Sequence, residues 1–259
     1  MDRYNVSDIL RKYDLVIKKK YGQNFLTDRS ILDKIVDVAG DIENKNILEI
    51  GAGPGGLTNS ILQKKPKQLV SVEIDTDYFY ILQKEFGNCS NFKVINQDAL
   101  KIDENSISDR INVIANLPYN VGTHLLFKWF ENIEIFESFT LLLQKEVVDR
   151  ITAKQNTKEY GVLSVLAQTF TTPKKMFDIK PTSFIPPPKV MSSVVFLKPK
   201  KTDANFKNLS KIAKMLFANR RKKIRKVIEN LRLQNSDLNL DNRAEELTVE
   251  DFINLSKLF

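Results

Sequence analysis

The segment that most restricts this chain is Glu49-Ile50-Gly51-Ala52-Gly53-Pro54-Gly55-Gly56, a glycine cluster directly behind the apolar run NILEI (46–50) and ahead of Leu57–Leu62. A short apolar run, then glycines, then helical spacing reads as a buried strand, a tight turn and a helix. Glycine in such a turn lets the backbone come close to a ligand. The same alternation surrounds it. Ile31, Leu32, Ile35, Val36 and Ala39 predict a helix that stops at Gly40. Strands follow at 69–74, 92–95, 111–115, 139–143 and 193–197, with helices at 78–86 and 125–130. Strand and helix in alternation predict an α/β fold, a Rossmann-like, doubly wound and mostly parallel sheet.

Past residue 198 the pattern changes. Residues 198–205 (KPKKTDAN) are polar, and Leu209, Ile212, Leu216, Ile224, Val227, Ile228 and Leu231 then recur at helical spacing. The expected division is a cofactor-binding sheet domain over 1–198 and a small helical domain over 199–259. A continuous helix over 214–232 is expected to turn its apolar stripe inward and its basic residues outward.

Composition narrows the chemistry. No run of about 18 uncharged apolar residues appears, which argues against a membrane span, and the opening residues lack a signal-peptide core, so a cytoplasmic protein is expected. Cys89 and His124 are the single cysteine and histidine, which excludes an intrachain disulfide and a Cys/His zinc site, so no metal is expected. The net charge of +8 favours a polyanionic partner. Lys18-Lys19-Lys20 and Arg220-Arg221-Lys222-Lys223-Ile224-Arg225-Lys226 are its densest clusters.

Three features fall at the carboxyl rim of the expected sheet, where α/β folds bind ligands. Gly51-x-Gly53-x-x-Gly56 satisfies the dinucleotide fingerprint, and Glu73 ends the next strand where a ribose partner is expected. Taken alone, the turn admits a nicotinamide nucleotide and S-adenosylmethionine equally. Asp98 follows the third strand and can accept an adenine amino hydrogen or cap a local turn. Asn116-Leu117-Pro118-Tyr119 closes the fourth strand. The exocyclic nitrogen of adenine is a poor nucleophile because its lone pair is delocalised. Acceptors from the Asn116 side chain and a backbone carbonyl, aimed at its two N–H groups, would favour a pyramidal nitrogen. Pro118 holds Leu117 extended so that its carbonyl can serve, and Tyr119 offers a stacking face worth about 1–3 kcal/mol. Positioning of this kind needs no general base.

These segments, with Tyr21-Gly22-Gln23-Asn24-Phe25-Leu26, Gln97-Asp98-Ala99-Leu100, Leu143-Gln144-Lys145-Glu146-Val147, Tyr160-Gly161-x-Leu163-Ser164, Phe184-x-Pro186-Pro187-Pro188-Lys189-Val190, Arg220-Arg221-Lys222 and Arg243-Ala244-Glu245, resemble the KsgA/Dim family of small-subunit ribosomal RNA adenine N6,N6-dimethyltransferases. The resemblance spans roughly residues 18–259. It implies a Rossmann-like sheet with a helical C-terminal domain and S-adenosyl-L-methionine as cofactor. The implied substrate is two adjacent adenosines in the hairpin near the RNA 3′ end of an immature small ribosomal subunit, modified by a monomer during ribosome biogenesis. Residue by residue, Asn24 and Leu26 would contact the cofactor, with Gln23 and Phe25 nearby. Gly51 and Gly53 would lie against its methionine portion, Glu73 and Ile74 at the ribose, and Asp98 and Ala99 at the adenine, with Asn116 in reach. Asn116, Leu117, Pro118 and Tyr119 would hold the target base, and Phe184 would cover its other face. Arg220, Arg221, Lys222, Lys223 and Arg225 would contact RNA phosphates, which position without reading sequence. Residues 1–17 lie outside the resemblance and carry no reading.

Three rivals remain at this stage: a large-subunit adenine methyltransferase of the macrolide-resistance type, which shares the glycine turn and the Asn-x-Pro-Tyr motif; a ribosome-assembly factor that binds RNA without methylating it; and a nicotinamide oxidoreductase.

Overall fold

Alternate residues of the central strands point into two separate cores. Leu48, Val113, Ala115, Leu141, Leu143 and Val195 join one apolar cluster, while Ile47, Ile114, Leu142 and Val194 join another. Successive side chains on a strand face opposite ways. A strand apolar at every position must therefore be covered on both faces, as parallel sheets are.

The computed structural model describes residues 4–18, 22–231 and 238–258. The first half of the chain runs α1 (Val6–Lys12), β1 (Phe25–Leu26), α2 (Arg29–Val38), β2 (Asn46–Ile50), α3 (Gly56–Gln63), β3 (Gln68–Glu73), α4 (Thr76–Phe86), β4 (Phe92–Asn96), β5 (Ile111–Asn116) and α5 (Gly122–Glu131). The second half runs β6 (Phe136–Gln144), α6 (Lys145–Ile151), α7 (Val162–Phe170), β7 (Thr171–Ile179), β8 (Phe184–Ile185), β9 (Ser192–Pro199), α8 (Phe206–Ala218), α9 (Arg225–Asn230) and α10 (Val249–Ser256). All five sheet strands expected from the first 150 residues are present. Among the described residues, no helix is long and apolar enough to cross a membrane.

The main sheet has seven strands in the order β4-β3-β2-β5-β6-β9-β7. Strands β2 to β6 pair in parallel, and β9 runs antiparallel to both β6 and β7. The chain winds outward from β2 through β3 to β4, then returns to the centre and winds the other way through β5 and β6. The order therefore reverses between β2 and β5, and the carboxyl ends of those two strands flank a crevice. Strand β7 was not legible in the sequence. It is an edge strand carrying Pro173, Lys174 and Lys175 with a register shift between Lys175 and Phe177, features that suit an edge and obscure a strand signal.

Helix α1 forms in the stretch that the sequence left unread. Asn5 caps it by accepting from the Ser7 amide, and it buries Val6 and Ile9. At the other end of the chain, α8 and α10 pack on α7. Phe217 stacks on Phe252 with centroids 5.5 Å apart, and Phe170 meets Phe206 at 5.9 Å. Leu209, Ile212, Leu216, Phe252 and Leu255 lie in the same cluster as Phe139 and Leu141 of the sheet, so the C-terminal helices share a core with one sheet face.

The continuous helix expected over 214–232 is corrected. Helix α8 stops at Ala218 with Asn219 as its cap, and α9 begins only at Arg225. Between them Lys223 bridges Arg243, and the Ile224 amide donates to the Asn242 carbonyl at 2.9 Å. Six cations within seven helical positions would set like charges one turn apart, and asparagine is a poor helix-interior residue. The turn relieves both. The expected burial of the stripe holds, since Leu216, Ile224 and Ile228 are buried. Arg232, at the end of the expected helix, lies outside the described residues, as do Lys19, Lys20 and Tyr21.

Trp129 on α5 is fully buried, packs on Phe139 at 5.4 Å and donates its indole N–H to Glu104 Oε1 at 2.9 Å. Trp129→Ala should cost about 3–5 kcal/mol in urea unfolding. A loss under about 1 kcal/mol would mean that this core collapses around the missing ring.

Candidate active site at the carboxyl rim

The crevice at the reversal of strand order is a cavity of about 340 Å³, in the place where open α/β sheets bind ligands. Its walls come from the ends of β2, β3 and β5, from the turn after β4 and from residues 22–25 of the N-terminal segment.

The glycine turn leaves β2 with Gly53 at φ +52, and a Cβ there would lie 2.6 Å from the Phe25 ring. Any side chain at this position would expel Phe25, so the pairing of bare backbone with ring shapes the cavity floor. Gly51 lies against the Asn116 segment, with Pro118 Cδ 3.4 Å from where its Cβ would stand, and its φ of +70 is what favours glycine there. Glu73, at the tip of β3, accepts from the amides of Gly53 and Asp75, both at 2.8 Å. Burial pushes its carboxyl above the usual range, against those two donors. Next to it Ile74 is 46% exposed and Leu100, across the cavity, is 38% exposed. Two large, exposed apolar side chains in a cavity lined by both apolar and polar groups suit the flat faces of a nucleobase. Asp98 caps the short turn at Ala99 through the Leu100 amide and also lines the cavity with Ala99.

The tetrapeptide closes the opposite wall. Asn116 Nδ2 donates to the Asn24 carbonyl at 3.2 Å, which engages one of its two amide hydrogens and fixes the orientation of the carboxamide, with Oδ1 available as an acceptor. The Pro118 carbonyl accepts from both Val121 and Gly122. Its two lone pairs are thereby used, which leaves the Leu117 carbonyl as the candidate acceptor in this segment. The Leu117 side chain is buried in the core, so only its backbone can serve the cavity. Tyr119 is tied by its hydroxyl to Ser192 Oγ at 2.6 Å, and burial pushes its phenol up. The ring is held at one edge and keeps its face for contact.

The N-terminal segment is held against this rim by charge. Lys18 Nζ bridges Asp75 at 2.7 Å and Asp77 at 2.6 Å, while Gln23 Nε2 donates to Asp75 at 2.9 Å. Asp75 carried no role in the sequence; its position just after Glu73, as the cap of α4, was the available signal. Phe25, expected only near the cofactor, lines the cavity.

Two residues expected at the site have side chains set back from the cavity. Leu26 and Phe184 are 3% and 2% exposed and belong to the apolar cluster beneath the rim. They face each other across the antiparallel pair β1–β8, and strand alternation turns their neighbours Phe25 and Ile185 the other way. Neither Leu26 nor Phe184 lines the cavity. The remaining rim residues, Gln23, Asn24, Gly51, Gly53, Glu73, Ile74, Asp98, Ala99 and 116–119, all do.

The basic residues lie apart from the cavity and are not equivalent. Arg220 bonds Glu245 at 2.5 Å and the carbonyls of Lys158 and Thr157 at 2.6 and 2.8 Å, which makes it a structural clasp. Lys223 and Arg225 each lie 3.2 Å from Asp241. Arg221 and Lys222 are exposed.

A Rossmann-like sheet with a glycine turn, acidic strand tips and an Asn-Leu-Pro-Tyr wall defines the class as a methyltransferase. The ribosomal RNA adenine dimethylase family model matches residues 15–259. The chain is 43% identical to ribosomal RNA small subunit methyltransferase A of Wolbachia pipientis wMel, over 96% of this chain and 91% of that protein. A crystal structure of a dimethyladenosine transferase from Plasmodium falciparum is similar with a TM-score of 0.77 at 26% identity, over 89% of this chain and 95% of that one. The crystal structure of 23S rRNA methyltransferase ErmE, at 19% identity and a TM-score of 0.70 over 90% of this chain and 98% of that one, shares the fold. The chain belongs to the ribosomal RNA adenine dimethylase family, and it is an rRNA adenine dimethyltransferase.

Glu49, beneath the glycine turn, was quoted in the sequence only as part of a motif. Its Oε2 accepts from Thr58 and Ser71 at 2.7 and 2.6 Å, whereas Oε1 is buried without a partner among the described residues. Burial raises its pKa to about 7 from the model-compound 4.5. A folded pKa above the unfolded one means that the folded state holds the proton more tightly, so stability is lost as pH climbs from about 4.5 to about 7. Glu49→Gln should remove this slope. Urea unfolding at about pH 5 and about pH 8 should show a difference of up to about 3 kcal/mol between parent and variant in their pH dependence. Parallel curves would overturn the assignment.

Proposed function

We propose that this enzyme transfers methyl groups from S-adenosylmethionine to the N6 nitrogens of two adjacent adenosines in the 3′-terminal hairpin of small-subunit rRNA. The substrate is an immature small subunit, and the enzyme works in the cytoplasm as a monomer during ribosome biogenesis. Names of close relatives support the small-subunit assignment. The likeness to the 23S enzyme, at 19% identity, bears on the fold alone.

The residues fit the cofactor. A bare backbone turn, a carboxylate at the tip of β3, a second at Asp98 and two apolar walls suit an adenosine, and the two carboxylates favour a cationic ligand. When bound, the cofactor supplies an electrophilic methyl group on a sulfonium. Glu73 would hold the ribose hydroxyls, Asp98 the adenine amino group between Ile74 and Leu100, and Gly51 and Gly53 the methionine portion, with Gln23 and Asn24 closing the cavity.

The observation that carries the reading is the hydrogen bond from Asn116 Nδ2 to the Asn24 carbonyl, which fixes the orientation of the carboxamide. With the carboxamide so oriented, Oδ1 and the Leu117 carbonyl would be two acceptors for one amino group, and they would draw its nitrogen toward a pyramidal, more nucleophilic form. Tyr119 would stack the base. The work is done by preoriented dipoles, an arrangement worth about 10²–10³ in rate per oriented contact.

Asn116→Ala should therefore lower tritium transfer from labelled cofactor to methylation-deficient small subunits by about 100-fold or more while the protein stays folded. Transfer at the parent rate would sink the proposal. Primer extension on both ribosomal subunits checks the target, and modification confined to the large subunit would favour the rival enzyme.

For the basic turn, exposed Arg221 and Lys222 are the proposed phosphate contacts, joined by Lys223 and Arg225 where Asp241 yields them. Neutralising Arg221 and Lys222 together should weaken RNA binding and reduce the salt slope by about two. Arg220→Gln should instead lower stability, since its clasp is lost. Filter binding across a salt series distinguishes the two.

A further inference from the structure

Helix α1 and the residue before its cap lie ahead of the stretch matched by the family model, which begins at residue 15, yet they touch the glycine turn from behind. Tyr4 donates its hydroxyl to the Pro54 carbonyl at 2.5 Å. That carbonyl lies between Gly53, whose backbone faces the cavity, and Gly55. At Gly55, with φ +84, a Cβ would lie 2.8 Å from the Tyr4 hydroxyl and 2.6 Å from the Phe86 ring. At Gly56 a Cβ would lie 2.6 Å from Val6. The turn therefore has two faces, each meeting an aromatic side chain: Phe25 on the cavity side and Tyr4 on the far side.

Tyr4 is itself held. Its ring lies 5.1 Å from that of Phe86, and burial pushes its phenol up, so it remains a neutral donor. Helix α1 is fixed to α4 at its other end, where Lys12 and Tyr13 both reach Glu85 Oε1 at 2.6 Å. Val6 and Ile9 are buried beside Phe25 and Tyr78.

We propose that Tyr4 is a positioning residue for the cofactor, acting through Pro54 to hold the Gly53–Gly55 turn in its ligand-accepting shape. The inference rests on reading the cavity as the S-adenosylmethionine site. A turn with four glycines between residues 51 and 56 samples many conformations unless something restrains it, and one partly buried hydrogen bond to the Pro54 carbonyl removes much of that freedom. Restraining the turn before the ligand arrives lowers the cost of binding and leaves the reacting groups at Asn116 and Tyr119 untouched.

The test compares Tyr4→Phe with Tyr13→Phe in the full-length protein, using calorimetric titration with S-adenosylmethionine. Each variant loses one hydroxyl hydrogen bond of α1, but only Tyr4 reaches the turn. Tyr4→Phe should weaken cofactor binding about three- to tenfold. It should raise KM for the cofactor by a similar factor and leave kcat at saturating cofactor unchanged. Tyr13→Phe should bind cofactor as the parent does, whatever it does to the melting temperature. Parent-like affinity in Tyr4→Phe, or equal weakening in both variants, would overturn the proposal. A parent protein that takes up no cofactor would remove the reading of the cavity and this inference with it.

Discussion

The reversal of strand order between β2 and β5 governs everything else about this molecule. Helices cover both faces of the sheet, but no crossover bridges the gap where winding changes direction, and a crevice opens at that point by topology alone. The chain then lines it with what the strand tips deliver: the glycine turn from β2, Glu73 from β3, Asp98 from the turn after β4 and Asn116 from β5. Four short segments, far apart in sequence, converge because parallel strands all end on the same side.

Within that crevice the hydrogen-bonding groups are largely committed to one another, and the few left open define the chemistry. The carboxylate of Glu73 is held by two amides. The carboxamide of Asn116 is oriented by one N–H donated to Asn24, the Pro118 carbonyl is filled twice, and the Tyr119 hydroxyl is tied to Ser192. Oriented acceptors and apolar surfaces are among what remains facing the cavity. Such groups can take hold of amino groups and purine faces.

Much of this could be read from the sequence because parallel strands advertise themselves as unbroken apolar runs, and because glycine clusters and an Asn-Leu-Pro-Tyr sequence have few structural alternatives. The failures have physical causes. Strand β7 hid behind Pro173 and two lysines, which serve an edge. The basic run keeps apolar residues at the spacing of one continuous helix, whereas Asn219 and the density of like charge break it. The burial of the Phe184 side chain is likewise hidden from the sequence. Its partner across β1–β8 fixes which way a two-residue strand points, and that pairing cannot be seen in a linear pattern. Helix α1 was unreadable for another reason: its value lies in touching residues about fifty positions away.

Arg220 carries one last consequence. A single guanidinium joins the end of α8 to residues 157–158 and to Glu245, so the exposed cations beside it cannot wander independently of the sheet. A polyanion seated on that turn would be presented to the crevice from a fixed stand-off, as work is fed to a tool from a jig. Selection among many chemically identical adenosines would then be made by span, without any base letter being read.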